Sequence, residues 1–210
     1  MASAADPTPV YDRVAHQYAR SMLKELEYKP LDRALLGALL AQIPAGGRIL
    51  DVGCGPGQVA GWLHSNGAAG RVSGLDLSPA MVEIARIHQP GVDFEVGDLF
   101  DLGERGLAAI VAFYCIVNFP LADLPRAAAS FARALAPGGL LLLSFHMGSE
   151  QLHLDEWFGE PVSIDFWLHE RAAIEQLLEQ AGLEIDMRLE RRPYPEEHPT
   201  RRAYLLARRT

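Results

Sequence analysis

The sequence predicts an α/β fold in which a mostly parallel sheet carries helices on both faces. Three observations support this prediction. Short apolar segments alternate with segments of helical pattern along the chain. Residues 107–114 (LAAIVAFY) form an apolar run, as expected for a central strand that is buried on both faces. Three glycines at alternate positions, from Gly53 to Gly57, follow the first apolar segment and precede a helix.

The predicted strands cover residues 48–52, 71–77, 92–96, 107–114, 140–145, 183–190 and 202–207. The predicted helices cover residues 11–43 with a break near Pro30, then 57–65, 79–88, 124–135 and 170–181. Ser78 is placed to cap one helix, with Pro79 at its first position, and Gly182 follows the last helix. Ligands of such sheets bind beyond the carboxyl ends of the strands, so we expect the functional residues there.

Composition limits the function. The chain has 210 residues, enough to bury the core of one domain over residues 1–210. Its formal net charge of -8 argues against a nucleic-acid partner, because affinity for phosphate backbones comes from Lys and Arg. Cys54 and Cys115 have neither metal-site nor disulfide-framework spacing, which fits a cytoplasmic protein without a metal. We expect no signal peptide and no membrane span, and either a monomer or a homodimer.

The segment ILDVGCGPG, residues 49–57, is the strongest motif. Glycines let the backbone turn sharply and approach a ligand closely, and the following helix presents free N–H groups. Dinucleotide-binding turns usually read GxGxxG, whereas this turn reads GxGxG after an acid-containing strand end.

Two acids follow the next two strands. Asp76 ends the second strand, where a carboxylate can accept hydrogen bonds from a ribose diol. Asp98, between Gly97 and Leu99, follows the third strand and can accept from an adenine amine while Leu99 packs on the ring. Any one Asp in a loop is more often a turn former. Three such features in order, each at a strand end, predict a nucleoside site.

These motifs resemble the small, single-domain class I S-adenosylmethionine-dependent methyltransferases. The resemblance covers residues 49–146 through ILDVGCGPG, GLDLSPAMVEIAR, FEVGDLFDL, AAIVAFYCIVNFP and FARALAPGGLLLLSFH. It implies a Rossmann-like, doubly wound, seven-stranded sheet whose last strand is antiparallel. It also implies S-adenosylmethionine as methyl donor, S-adenosylhomocysteine as product and a small-molecule acceptor with an oxygen or nitrogen nucleophile.

The resemblance assigns roles to residues at the strand ends. It places Asp51 near the methionine ammonium and Asp76 on the ribose hydroxyls. The other cofactor contacts that it implies are Tyr18 in a lid, Gly53, Gly55 and Gly57 along the methionine and ribose, Leu77, Met81, Gly97, Asp98 and Leu99 around the adenine, and Phe113 near the sulfonium. The sequence departs from many relatives at Ala108, where they carry Asp, and at Asn118, where they carry His.

The implied organisation has four segments. Residues 1–45 form a helical lid, 46–146 the cofactor-binding core, 147–170 a substrate-side insertion, and 171–210 the last helix and hairpin. The insertion is rich in aromatic residues and predicts one wall of an apolar substrate pocket, although these side chains could also simply seal the insertion onto the domain.

His146, at the end of the fifth strand, is the first candidate for a general base, and His153 is the second. A structural hydrogen bond is the alternative role for His146. Tyr114 is placed to orient an acceptor through its hydroxyl. Seven arginines lie between Arg188 and Arg209; they predict a solvated hairpin, or else one or two that hold an acidic substrate.

Two other function classes fit part of the pattern. A nicotinamide-dependent oxidoreductase shares the ribose-binding acid, but the form of the glycine turn and the position of Asp98 count against it. A non-catalytic protein that binds S-adenosylmethionine would keep the same motifs, because binding does not prove turnover.

Overall fold

The computed structural model describes residues 6–103 and 105–210. Residues 1–5 of the expected lid lie outside the described residues. In the described part of the chain, the strands are β1 (Ile49–Val52), β2 (Val72–Asp76), β3 (Asp93–Val96), β4 (Leu107–Phe113), β5 (Leu135–Met147), β6 (Gln151–Trp157), β7 (Glu160–Trp167), β8 (Leu183–Arg191) and β9 (Arg201–Arg209). The α-helices there are α1 (Thr8–Met22), α2 (Pro30–Leu40), α3 (Gln58–Leu63), α4 (Pro79–His88), α5 (Leu124–Ala134) and α6 (Arg171–Gln180).

Seven strands form one sheet in the order β3-β2-β1-β4-β5-β9-β8. Strands β1 to β5 pair in parallel, and β9 runs antiparallel between β5 and β8. This topology confirms the predicted seven-stranded, doubly wound sheet with an antiparallel last strand. The chain builds outward from β1 to β3 and then returns to β4 beside β1. The carboxyl ends of β1 and β4 therefore flank the crevice where such sheets bind ligands.

Helices cover both faces of the sheet because its central strands are apolar on both sides. Neighbouring residues of one strand point to opposite faces. Leu50 and Ile110 join the core under α5 and α6, whereas Ile49 and Val111 join the core under α2, α3 and α4. All four of these residues are fully buried.

Two boundaries differ from the sequence prediction. Helix α5 ends at Ala134, and Leu135 is already extended and pairs with Leu107, so β5 begins five residues before the predicted strand. Pro137 prevents the helix from continuing past this point, because a proline biases the residue before it, here Ala136, away from helical conformation. After α3, residues His64–Ala68 form a single π-helical turn that reaches beyond the predicted end of that helix.

The insertion after β5 is an antiparallel hairpin of β6 and β7, in which Leu152 pairs with Phe166 and Trp157 with Glu160. We predicted an aromatic-rich wall without assigning strands to it. The alternation of Leu152 and Leu154 with exposed neighbours was the signal for a strand with one covered face.

Gly57 sets the angle between the glycine turn and α3. It is the N-cap of α3 with φ of +87°, in the left-handed region. A Cβ atom at this position would lie 3.0 Å from Cζ of Phe94 and 3.2 Å from Cβ of Ala85. Gly57 is therefore required both for its backbone conformation and for the packing of α3 against α4 and β3.

We expect Gly57→Ala to destabilise the fold more than Gly46→Ala, its matched control. Gly46 has a φ of +79° but no atom within 4 Å of a built Cβ. Both variants carry the cost of a left-handed alanine, about 1–2 kcal/mol. Crowding should add roughly 1 kcal/mol or more to the loss for Gly57→Ala. Urea unfolding of both variants measures the difference, and equal losses would contradict the packing role.

Candidate active site

A cavity of about 380 Å³ opens at the carboxyl edge of the parallel strands. Most residues predicted to form the site line it: Tyr18, Asp51, Gly53, Gly55, Asp76, Leu77, Met81, Gly97, Asp98, Leu99, Phe113, Tyr114 and His146. Gly57 is the exception, because its Cα faces Phe94 and Ala85 rather than the cavity.

Gly53 and Gly55 of the turn have backbone conformations that other residues rarely adopt, and at Gly53 a side chain would also clash with Cys115. Gly53 has φ of +67°, and a Cβ there would lie 2.4 Å from Cβ of Cys115. Gly55 has φ of +51°, and its Cβ would lie 3.7 Å from Cε1 of Tyr18. The backbone of the turn therefore forms part of the cavity surface, as the motif predicted.

Asp76 ties this turn to the end of β2. Its Oδ2 accepts a hydrogen bond from the Gly55 amide at 2.8 Å, and its Oδ1 accepts one from the Ser78 amide at 2.9 Å. Burial raises the pKa of this carboxyl, although the amide hydrogen bonds oppose the shift. Each carboxylate oxygen has a second lone pair, so Asp76 can still accept a ligand hydroxyl.

Asp51 lies deeper, with only 1% of its surface exposed. Its Oδ2 accepts from the Ala60 amide at 3.0 Å. Its Oδ1 has no hydrogen-bond partner among residues 6–103 and 105–210. Burial raises the pKa of Asp51 to about 7. The hydrogen bond from the Ala60 amide opposes this shift, whereas the nearby charge of Asp76 adds to it. A cationic ligand group would lower this pKa by stabilising the carboxylate.

Asp98 lies at the cavity rim and is exposed. Its Oδ1 accepts from the Phe100 amide at 2.9 Å, which is the side-chain turn typical of aspartate in loops. Asp98 therefore both forms this turn and borders the cavity. Leu99 beside it is buried in the core and also borders the cavity.

Helix α1 and the β6–β7 hairpin cover the cavity with aromatic rings. The ring of Tyr18 packs edge-on against Trp157, with 5.6 Å between ring centroids, and the ring of Tyr11 packs likewise at 5.4 Å. The Tyr11 hydroxyl donates to Oδ1 of Asn118 at 2.9 Å, and Asn118 Nδ2 donates to the carbonyl of Asp165 at 3.2 Å. Asn118 therefore joins α1 to the β6–β7 hairpin.

Tyr114 lines the opposite end, and its hydroxyl is engaged by the protein. Its oxygen lies 3.0 Å from the hydroxyl of Tyr204, which donates its own proton to Asp32. Tyr114 must then be the donor to Tyr204, so only lone pairs of its oxygen remain for a ligand. Burial raises the pKa of Tyr114, which keeps the hydroxyl protonated.

His146 borders the same end of the cavity. Its Nδ1 lies 2.7 Å from Oγ1 of Thr200. Burial, followed by the charge of Arg202, lowers the pKa of His146 to about 3. The imidazole is therefore neutral near pH 7, and its weak basicity counts against the predicted general-base role. His153, the second candidate, is exposed on the hairpin and pairs with Asp165 at 2.7 Å, away from the cavity lining.

Sequence reasoning did not find a buried ion-pair cluster at this end. Lys29 pairs with Glu25 at 2.5 Å and with Glu197 at 3.4 Å, and Arg191 pairs with Glu197 and with Asp32. Glu197 lies in the β8–β9 loop. Burial acts to raise the pKa of this carboxyl, but the hydrogen bond from Arg191 and other partners outweigh that effect and lower the pKa to about 2. The charged, proline-rich composition of that loop was visible in the sequence, but no spacing rule relates it to Lys29.

Several arginines of the C-terminal hairpin form ion pairs in the described part of the chain. Among these, only Arg191 and Arg202 have side chains that are less than a tenth exposed. Others in the hairpin, such as Arg188 and Arg201, are about half exposed. The prediction of a solvated hairpin therefore holds for some of these arginines but not for Arg202, which borders the cavity.

The described residues, 6–103 and 105–210, contain no group of three or more His, Cys, Asp or Glu side chains arranged to hold a metal ion. In the same part of the chain, no helix has the length and apolar character needed to cross a membrane.

A family model described as a methyltransferase domain matches residues 16–187 of this chain. That match takes in the second half of α1, the glycine turn, the acids at the strand ends and the β6–β7 hairpin. The chain therefore belongs to the methyltransferase domain family, which confirms the class that the sequence motifs resemble.

Individual relatives share part of the chain. The sequence is 34% identical over 113 residues to malonyl-[acyl-carrier protein] O-methyltransferase of Serratia marcescens, covering 53% of this chain and 44% of the relative. It is 38% identical over 108 residues to trans-aconitate 2-methyltransferase of Methylobacterium nodulans, covering 49% of this chain and 40% of the relative. The chain thus spans less than half the length of these relatives.

The fold matches solved methyltransferases over the whole chain. The crystal structure of magnesium protoporphyrin IX methyltransferase from Synechocystis PCC 6803, with bound S-adenosylmethionine, superposes with a TM-score of 0.72. The match covers 100% of both chains at 19% identity, so it establishes a common fold.

The neutral state of His146 has a measurable effect on stability. Its pKa is about 3 in the folded protein and near 6.5 in the unfolded chain, so only the unfolded chain gains a proton between these values. The free energy of unfolding should therefore fall as the pH drops below 6.5, by at most about 1.4 kcal/mol per pH unit from this residue.

We expect His146→Gln to reduce this acid loss between pH 6.5 and 5, measured by urea unfolding at several pH values. His153→Gln is the control. His153 has a raised pKa, so it stabilises the fold below its unfolded pKa and loses that effect as the pH rises. Removing it should not reduce the acid loss. Parallel curves for wild type and His146→Gln would contradict burial of a neutral imidazole.

Proposed function

We propose that this protein transfers the methyl group of S-adenosylmethionine to a small-molecule acceptor, releasing S-adenosylhomocysteine. One observation carries the proposal: Asp51, Asp76 and Asp98, at the ends of three adjacent strands, border one cavity together with the glycine turn. Membership of the methyltransferase domain family supports the same reaction class.

The spacing of the polar groups fits the adenosine part of the donor. Asp76 is held by two backbone amides with lone pairs left over, as a ribose diol requires. Asp98 is exposed at the rim, where it can accept from the adenine amine. Leu77 and Met81 from the start of α4, and Leu99, provide apolar surface for the two faces of the ring.

Asp51 fits the charged methionine end. It is a buried carboxyl that borders the cavity and has one oxygen without a protein partner in the described residues. An unpaired buried carboxylate is unfavourable, which is why its pKa is raised. A bound ammonium would remove that penalty, so Asp51 is suited to recognise the amino group of the donor.

When bound, the donor supplies a methyl group on a positively charged sulfur, which is already a strong electrophile. The protein's task is therefore to hold the acceptor in line with the methyl and sulfur and to exclude water. Phe113 and Tyr114, where β4 ends, border this part of the cavity, and Tyr18 with Trp157 covers it.

The acceptor is proposed to enter between the lid helix and the hairpin. Leu152, Leu154, Trp157, Phe166 and Leu168 all border the cavity from the hairpin side. This apolar wall favours a small organic molecule, and an oxygen or nitrogen atom is the nucleophile. The two relatives named above differ in acceptor, so family membership leaves this choice to the residues of the lid and hairpin.

Calorimetric titration with S-adenosylmethionine, S-adenosylhomocysteine and NAD tests the donor. We expect micromolar affinity for the first two ligands and none for NAD. Asp76→Ala should weaken binding by about 1–3 kcal/mol through the unpaired ribose hydroxyls. Asp101→Ala, at an exposed carboxylate off the cavity lining, is the matched control and should bind normally. Binding of NAD alone would refute the proposal. Transfer of a labelled methyl group to a panel of acceptors then tests turnover.

Binding of the donor should release a proton through Asp51. With a pKa near 7 this carboxyl is largely protonated at pH 6 and must ionise to pair with an ammonium group. Affinity should therefore rise from pH 5.5 to about 7 and then level off. Calorimetry of S-adenosylhomocysteine in buffers of different ionisation enthalpy counts the released proton at pH 6. Asp51→Asn should abolish the release; an undiminished release would contradict the assignment.

A further inference from the structure

A chain of hydrogen bonds runs from the β8–β9 loop to the cavity. Nη1 of Arg202 donates to Oγ1 of Thr200 at 2.8 Å, and that oxygen lies 2.7 Å from Nδ1 of His146. Arg202 is 2% exposed and also donates to the carbonyl of His198, so its position is fixed from two sides.

Counting protons along this chain assigns the state of His146. A guanidinium can only donate, so Thr200 accepts from Arg202 and keeps its own hydroxyl proton to donate. Among residues 6–103 and 105–210, Nδ1 of His146 is the only other partner found for that hydroxyl. The arrangement that uses this hydroxyl proton has Nδ1 as the acceptor, which puts the ring proton of the neutral imidazole on Nε2. The lowered pKa of His146 supports a neutral ring.

Nε2 of His146 has no hydrogen-bond partner in the described residues, and His146 borders the cavity. A hydrogen on this atom is a donor available to a ligand. It lies at the end of the cavity marked by Tyr114, whose ring centroid is 5.0 Å from that of His146. Because Tyr114 gives its proton to Tyr204, it can only accept there, and His146 can donate.

The charged groups at this end are mutually compensated. Lys29 pairs with Glu25 and Glu197, and Arg202 lies 3.6 Å from the same Glu197. At most 11% of each of these side chains is exposed. Both cations already face Glu197, although Nε of Arg202 forms no hydrogen bond in the described residues. An anionic acceptor would lose its hydration here and would have to share these cations with Glu197.

We propose that the methyl acceptor is an uncharged molecule whose oxygen receives a hydrogen bond from Nε2–H of His146, with Thr200 and Arg202 as positioning residues that fix this donor. This inference rests on the proposed function, because the bound molecule is a methyl acceptor only if the protein transfers a methyl group. It replaces the general-base role of His146, since a ring protonated on Nε2 cannot take a proton from a group at that atom. The facing hairpin wall of Leu152, Leu154, Trp157 and Phe166 suits the apolar remainder of such a molecule.

The first test measures the tautomer, and it needs no ligand. Nitrogen-15 NMR of histidine-labelled protein near pH 7 should show His146, assigned by its loss in His146→Gln, with the proton on Nε2. Thr200→Val removes the hydroxyl at similar volume and should shift the ring toward a mixture of tautomers, whereas Thr200→Ser should restore the wild-type spectrum. A proton on Nδ1 in the wild type, or an unchanged spectrum in Thr200→Val, would overturn the proposal.

The second test compares two probes in the presence of S-adenosylhomocysteine: 4-hydroxyacetophenone, which is neutral near pH 7, and 4-hydroxybenzoate, which is anionic. We expect the neutral probe to bind at least fivefold more tightly and to move the His146 Nε2–H resonance. Glutamine has an amide N–H near the place of Nε2, so His146→Gln should keep at least a third of this affinity, whereas His146→Ala should lose fivefold or more. Tighter binding of the anion, binding of neither probe, or equal loss in both variants would overturn the proposal.

The failure of this inference and of the proposed function are distinguishable. A protein that does not bind S-adenosylhomocysteine in calorimetry would contradict methyl transfer but would leave the tautomer result standing. A protein that binds it while His146 carries its proton on Nδ1 would contradict only the donor role.

Discussion

The hydrogen bond from the Gly55 amide to the carboxylate of Asp76 is the constraint on which the cavity depends. It joins the turn after β1 to the end of β2 at 2.8 Å. The backbone amides of Gly53 and Cys54 reinforce this junction by donating to the carbonyl of Leu75 in the same strand. Asp76 also holds the start of α4 through the Ser78 amide. One partly buried side chain therefore positions both a turn and a helix, and its hydrogen bonds to backbone amides offset the cost of removing its charge from water.

Buried charge is handled differently at the two ends of the cavity. At the donor end, Asp51 and Asp76 are carboxyls stabilised by backbone amides alone, and the pKa of each is raised. At the far end, acids and bases from α2, the segment before it and the β8–β9 loop pair with one another, as Lys29 does with Glu197. The first arrangement leaves one carboxylate oxygen of Asp51 that a cationic ligand would stabilise. In the second, the charges pair with one another, although Lys29, Glu197 and Arg202 also border the cavity.

The family and the fold do not specify the methyl acceptor, which depends on the residues around the cavity. Chains of this fold differ widely in sequence, as the 19% identity at a TM-score of 0.72 illustrates. A shared fold does not specify the acceptor. Under the proposed function, the acceptor would be selected by three segments that do not belong to the sheet's parallel core: helix α1, the β6–β7 hairpin and the β8–β9 loop. Asn118 links the first two of these segments by hydrogen bonds to Tyr11 and to the carbonyl of Asp165.

The sequence by itself determined the parallel sheet, the order of its elements and the residues at the strand ends, because apolar periodicity, glycine turns and caps are local signals. Asp51, Asp76 and Asp98 were found in this way. Only the tertiary structure decided that Gly57 serves packing rather than the cavity, and that His153 lies outside it. It also decided that Thr200, more than fifty residues from His146, fixes the state of that ring. Such contacts depend on how distant segments pack together, and no local pattern along the chain encodes them.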